Sequence, residues 1–365
     1  MKRLNNESIK DAVKIWYEDK DSALKKFGHI SEWDVKEVTD MNELFGWSFE
    51  DFNDDISKWD VSNVTDMSDM FLGAEIFNQD LSGWDVSNVT SMSRMFWNAK
   101  EFNQDISMWN VSKVTNMSGT FQGAFKFNQA IGSWDVSNVL NMNQMFAYAR
   151  EFDQELSRWD VRNVTNMYCL FKYAEEFNQD IGNWNISKVE NIGEMFNGAH
   201  KFNQDISKWD VSKIDNMKKL FHGAYDFNQD ISTWNVSKVY DMRSMFSEAE
   251  AFNQDISKWD VSQVEWMDNM FFGALKFNQN ISSWDVSKVE KAERMFYLAK
   301  SFNQDLSNWN VSSMINLKKM FGKTESFNQN LSAWNLHKEA DLNDIFYKAR
   351  AQTFNPAKWG WNTEA

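Results

Sequence analysis

The chain has 365 residues, with 53 Asp and Glu against 38 Lys and Arg and a formal net charge of −15. That balance argues against nucleic acid as a partner, because phosphate binding needs a basic face. A single cysteine, Cys169, permits no internal disulfide, and no apolar run approaches membrane-spanning length.

Residues 1–32 do not repeat and are read as an N-terminal helical cap. Ile9, Ala12, Val13 and Trp16 lie at helical spacing with Asn6 as the expected cap, and a second short helix is expected from Ser22 to Phe27, stopping at Gly28. The opening stretch MKRLNNESIKDAV lacks the apolar core of a signal peptide and a lipid-attachment cysteine, so a cytoplasmic location is the default expectation.

From residue 33 onward a Trp recurs at 33, 59, 84 and then every 25 residues to 359. A period of this size marks stacked repeats, and it overrides the two or three globular domains that length alone would predict. Counting each Trp as position 1, the unit reads W-[DN]-V-S-x-V-T-[DN]-M-x-x-M-F-x-x-A-x-x-F-N-Q-D-I-S-x. Positions 9, 12, 13 and 16 are apolar, as in Met67, Met70, Phe71 and Ala74, which is the i, i+3, i+4, i+7 face of a helix. Position 8 is Asp or Asn in ten of thirteen units and suits an N-cap. Ile or Leu at 23, Trp at 1 and Val at 3 and 6 read as extended chain, although 23, 1 and 3 do not share one parity. A bulge or bend near Ser at 24 would reconcile them. The expected fold is therefore an α/β solenoid, a curved array of about thirteen 25-residue strand–turn–helix units with terminal caps. It would curve because parallel strands stack at roughly 4.8 Å and helices at about 8–10 Å.

The first unit carries one extra residue near Trp47 to Phe49. The array runs over residues 33–346, and residues 347–365 read as a C-terminal cap, with Trp359 and Trp361 covering core and Pro356 the only proline. The string FNQDIS-x-WDVS-x-VT-x-M-x-x-MF-x-x-A, together with the lead-in FGHISEWDVKEVTDM, resembles the bacterial surface protein 26-residue repeat family, BspA-type relatives of leucine-rich repeats. The resemblance spans Trp33 to about Phe346. It implies a leucine-rich-repeat-like right-handed solenoid and a surface or secreted protein used in adhesion and recognition.

Asn at position 20, as in Asn78, Asn103 and Asn203, is expected to form a ladder by bonding the next unit's backbone. Asp at positions 2 and 22 could line calcium sites or serve as turn acceptors. Exchange for Asn at Asn110, Asn235, Asn280 and Asn330 favours the turn, because an acceptor survives where the charge is lost. His29, His200, His222 and His337 share no ligand spacing, and no phosphate loop or nucleophile motif is present. No enzyme activity, metal site or cofactor is assigned.

If the helix buries 9, 12, 13 and 16, then 10, 14 and 17 point outward. Trp97 at 14 and Phe125 at 17, with Tyr148 and Tyr173 at 15, form one candidate partner-binding group; Phe272 and Tyr297 at 14, with Trp266 at 8, form a second. The function read from the sequence is a non-catalytic binding or surface-recognition scaffold for a protein or cell-surface partner, acting in protein–protein interaction or adhesion. A calcium-stabilised adhesin and an enzyme with an unrecognised site are the alternatives.

Overall fold

The structure is a computed structural model that describes residues 3–350 and 359–361. The chain forms two compact units, Met1–Gln179 and Asp180–Ala365, divided inside the repeat array rather than at either end of it.

Unit 1 opens with helix α1, Asn6–Glu18, and helix α2, Lys20–Phe27. The cap of α1 is Asn5, not Asn6: its side chain accepts from the Glu7 and Ser8 N–H groups, and Ser8 Oγ accepts from the Asn5 N–H in return. Asn6 docks the helix instead, accepting from the Thr39 N–H at 2.8 Å and donating to Thr39 Oγ1 at 3.0 Å. Helix α2 starts two residues before the expected Ser22 and stops at Gly28, whose φ of +82° favours glycine. Ile9, Ala12, Val13 and Trp16 are buried as expected, and Trp16 and Phe27 both pack against Trp33 of the first coil.

The coils that follow contain no α-helix and no extended strand among the described residues. The expected helix at positions 8–16 is a pair of turns. In the coil from Trp84, Met95 N–H donates to Met92 O and Ala99 N–H to Phe96 O, with the third residue of each turn left-handed (Arg94 φ +54°, Asn98 φ +57°). A positive φ at that place is the type II pattern. The left-handed residues turn alternate peptides along the stack. Met92, Arg94, Phe96 and Asn98 accordingly donate to Asn116, Ser118, Thr120 and Gln122 of the next coil, at 2.7–3.0 Å. Two four-residue turns in series bury positions 9, 12, 13 and 16, the same set a helix would bury, so the spacing does not distinguish them.

The expected strand through positions 23, 1, 3 and 6 is also turn-built. Trp109 N–H donates to Ile106 O and Val114 N–H to Val111 O, which removes the parity conflict because 23 and 1 are the two ends of one turn. Parallel bridging occurs at position 8 instead, from Asp66 through Ser91, Asn116 and Asn141 to Asn166. The Asp or Asn there caps a turn, accepting from the N–H two residues on, as Asn116 does from Ser118.

Packing repeats with the coil. Phe at 13 stacks on Phe at 19 of its own coil (Phe96–Phe102, 3.9 Å) and on its equivalent in the next coil (Phe96–Phe121, 5.7 Å). The repeat Trp typically donates across the stack to a position 23 carbonyl, as Trp109 Nε1 does to Leu81 O at 3.0 Å, whereas Trp33 in the first coil donates to Gly28 O. The Asn column is a ladder: Asn103 Oδ1 accepts from the Asn128 N–H and from Gln129 Nε2. Asp153 holds the same acceptor role for Asn178 and Gln179.

Unit 2 repeats this geometry. Met242, Ser244, Phe246 and Glu248 donate to the next coil, Phe246 stacks on Phe271 at 5.7 Å, and Trp259 Nε1 donates to Ile231 O. Trp361 stacks on Trp334 at 5.9 Å and Trp359 meets Phe346 edge-on. Phe354, Asn355 and Pro356 lie outside the described residues.

Candidate functional site

The outward surface of each unit is set by its turn pairs. Within a coil, positions 1, 3, 6, 9, 12, 13, 16, 19 and 23 are buried, and 2, 8, 20 and 22 bond backbone. Positions 10, 11, 14, 15 and 17 are left to vary. Positions 11 and 15 carry the left-handed backbone. Glycine takes 15 in five coils, at 73, 123, 198, 223 and 273; elsewhere a side chain sits there at a cost of about 1–2 kcal/mol. Residues kept in that conformation are therefore worth inspecting for use.

All seven aromatic residues proposed from the sequence are half-buried. Trp97 meets Trp47 edge-on at 6.5 Å, and the Arg94 guanidinium lies 5.7 Å from the Trp97 ring while pairing with Asp69 at 2.7 Å. Burial pushes the Asp69 carboxyl up, and Arg94 opposes the shift. Trp47 is half-exposed and its ring occupies the space over Gly73, where a Cβ would come within 2.6 Å. Trp47 was not singled out from the sequence; its signal was the extra residue in the first coil, which forms the short 3-10 turn Trp47–Phe49.

Phe125 faces the Arg150 guanidinium at 4.9 Å, and Arg150 also pairs with Glu175. Tyr148 and Tyr173 stack at 5.0 Å, both at left-handed positions. In unit 2, Phe272 stacks on Tyr297 at 5.4 Å. Trp266 is held apart from that pair's stack by its own partners, the Tyr240 ring edge-on at 5.7 Å and the Arg243 guanidinium at 4.7 Å. The expected groups thus resolve into local contacts with rings or guanidinium groups on nearby coils: one coil away for Tyr148–Tyr173 and Phe272–Tyr297, two coils away for Trp47–Trp97.

The Asp columns have a turn geometry. Asp105 accepts from the Ser107 N–H, Asp205 from the Ser207 N–H and Asp60 from the Ser62 N–H, at 2.9–3.2 Å. The serine hydroxyl and backbone bonds hold these carboxyls below their ordinary range. Asn235 and Asn280 accept in the same way. Among the described residues, no group of three or more His, Cys, Asp or Glu side chains converges as a metal site would require.

The sequence matches the family described as "Mycoplasma protein of unknown function, DUF285" over residues 16–129, 104–209, 177–280, 200–301 and 281–365. The chain belongs to this family. The overlapping matches show that the DUF285 domain is itself several coils long. No curated protein matches the chain. Among solved structures, this DUF285 chain is similar to a leucine rich cell surface protein from Faecalibacterium prausnitzii A2-165, at 13% identity over 75% of this chain and 86% of that one, with a TM-score of 0.35. It is also similar to TLR13 in its complex with ssRNA13, at 10% identity over 88% and 54% of the two chains and a TM-score of 0.25. A leucine-rich-repeat protein of Leptospira interrogans is similar at 7% identity over 93% and 95%, with a TM-score of 0.20. No helix among the described residues is long and apolar enough to cross a membrane.

Proposed function

We propose that this DUF285 chain is a non-catalytic recognition scaffold, a leucine-rich-repeat-like array of the BspA type, whose partner is a protein or another cell-surface component. The observation that carries this reading is the division of labour within the coil. Core and turn positions hold nearly fixed residues, while positions 10, 11, 14, 15 and 17 change from coil to coil, and many of their side chains reach the surface. A stack of that kind offers many unlike contacts on a rigid support, which suits binding better than a reaction that needs distinct roles at one point.

The leading contact is the Trp47–Trp97 pair with Arg94 beside it, because Trp and Arg are enriched among residues that dominate interfaces. Phe125, Tyr148 and Tyr173 extend this candidate surface in unit 1. Phe272, Tyr297 and Trp266 supply a second in unit 2. The double variant Trp47→Ala, Trp97→Ala tests the reading in a pull-down from cells of the source with the full chain. The partners captured by wild type should be lost while circular dichroism and the melting midpoint stay near wild type. Unchanged capture by a folded variant would remove this pair from the interface.

A further inference from the structure

We propose that the face of unit 2 formed by positions 15 and 17 of its last three coils binds an acidic peptide segment, with carboxylates seated against Lys323, Lys348 and Arg350. A groove there is lined by Leu298, Lys300, Lys323, Glu325, Lys348 and Arg350. The net charge of the chain had argued against any basic face. The average conceals this one, since residues 309–358 carry seven Lys and Arg against four Asp and Glu.

The other coils supply an internal control. Charges at positions 17 and 18 are usually paired across neighbouring coils, as Lys100 with Glu75, Lys126 with Glu151, Arg150 with Glu175 and Lys201 with Asp226. In the groove Lys300 keeps this habit with Glu325 at 3.3 Å. Lys323, Lys348 and Arg350 are exposed and have no carboxylate partner among the described residues. Like charges in adjacent coils repel, so this arrangement calls for an anion from outside.

The backbone strengthens the case. Lys323 and Lys348 each have a φ of +53°, at a position where five other coils use glycine. A turn that needed only its geometry would be served by glycine at lower strain. Asn98, Tyr148, Tyr173, Glu248 and Leu298 hold the same backbone with other side chains, so the position tolerates a side chain without choosing one, and what Lys323 and Lys348 add there is charge.

The ligand class follows from what the groove lacks. Among the described residues no aromatic ring lines it, and the rings nearby are already faced by ammonium groups: Lys323 lies 5.5 Å from the Tyr297 ring, and Lys319 and Lys348 lie 5.4 and 5.1 Å from Tyr347. Tyr297 also contacts Gly322 and Phe272. A groove with no ring in its lining offers nucleobases no platform to stack on. A polymer charged at every link would also run past the groove into the field of a chain of net charge −15. Charges are screened beyond about 8 Å at physiological salt, so a three-coil patch suits a short run of carboxylates. Lysine takes them as a point charge without demanding a bidentate fit, and Leu298 offers an apolar contact beside them. This surface lies in unit 2 and is independent of the Trp47–Trp97 pair, so either reading can fail alone.

The test is fluorescence anisotropy of a labelled oligoglutamate peptide titrated with the full chain at low and at physiological salt. Saturable binding that weakens with salt is expected. The double variant Lys323→Gly, Lys348→Gly should bind at least tenfold more weakly, with a melting midpoint equal to or above wild type. A variant Lys323→Gln, Lys348→Gln, which keeps the side-chain length, should show the same loss. Failure of the wild type to bind the peptide would overturn the proposal, as would equal binding by either folded double variant. Tighter binding of heparin or of oligo-dT that depends on the same two lysines would reassign the groove to a glycan or a nucleic acid, and that too overturns it.

Discussion

The two units are made of one coil and differ in what they wear. Unit 1 carries 17 Lys and Arg against 29 Asp and Glu, a net charge of −12; unit 2 carries 21 against 24, a net charge of −3. Unit 1 adds two helices and a displaced tryptophan, Trp47, whereas unit 2 adds the lysines of its last coils. Buried and turn positions are largely shared, so the difference falls on the variable positions, with its largest single share at position 5, where unit 2 carries Lys188, Lys213, Lys238, Lys288 and Lys338 and unit 1 carries only Lys113 against Glu37. Under the proposed recognition role, departures from the repeat carry more information about binding than the repeat does.

The strongest way to break the equivalence of the two units is through the core. Phe121→Ala in unit 1 and Phe246→Ala in unit 2 each remove a fully buried ring stacked on three aromatic neighbours or more. Each should cost about 3–5 kcal/mol in denaturant unfolding. Equal losses are expected, and a gap of several kcal/mol between them would show that the coils are not interchangeable. Next comes the Asn ladder. Asn103→Ala leaves the Asn128 N–H without its acceptor and Gln129 Nε2 with only the Asn103 backbone carbonyl, and Asn228→Ala removes the acceptor of the Asn253 N–H. A loss of about 1–3 kcal/mol is expected for each. Asn103→Asp should cost less, since Asp153 already fills that role.

Glycine at position 15 sharpens the comparison further. Gly223→Ala meets only the backbone of Gly198, at ordinary contact distance, so its cost should be the conformational one, about 1–2 kcal/mol at φ +67°. Gly123→Ala at φ +70° also drives its new methyl into the Asn98 amide and should cost more. Melting midpoints of the two variants decide it, and the reverse order would refute the geometry.

Smaller still is the acid response of the turn aspartates. Their native carboxyls lie below the unfolded value, as at Asp105 in unit 1 and Asp230 in unit 2. The native state therefore binds fewer protons, and the stability they add is present above the ordinary carboxylate value near 4 and is lost as pH falls below it. Asp230→Asn keeps the acceptor, so its midpoint should match wild type at pH 7 and fall less on acidification. Last, calcium against chelator should leave the midpoint unchanged, and a rise with calcium would restore the adhesin alternative.

Much of the fold was legible in the sequence for reasons the structure makes plain. The Trp period, the buried positions, the Asn ladder and Gly28 each rest on one residue type doing one job. The helix was misread because paired turns and a helix bury the same residues at 9, 12, 13 and 16. Glycine at 15 and Gly119 at 11 were the available signal that the chain turns left-handed there. The candidate site was legible only as a set of outward aromatics. Trp47 and the lysine groove depend on which residues lie one or two coils away, and a single coil's consensus does not encode that.

Within each unit, the bonds from positions 9, 11, 13 and 15 run from coil to coil rather than around a coil. Seen as a mechanical element, a unit is a zipper. Pulling a terminal coil away loads its few cross-bonds one after another instead of shearing a whole sheet at once. Each coil released would lengthen the chain by about 80–90 Å, taking about 3.3–3.6 Å per residue for 25 residues. Tension applied along a unit would then be met by successive steps of equal length.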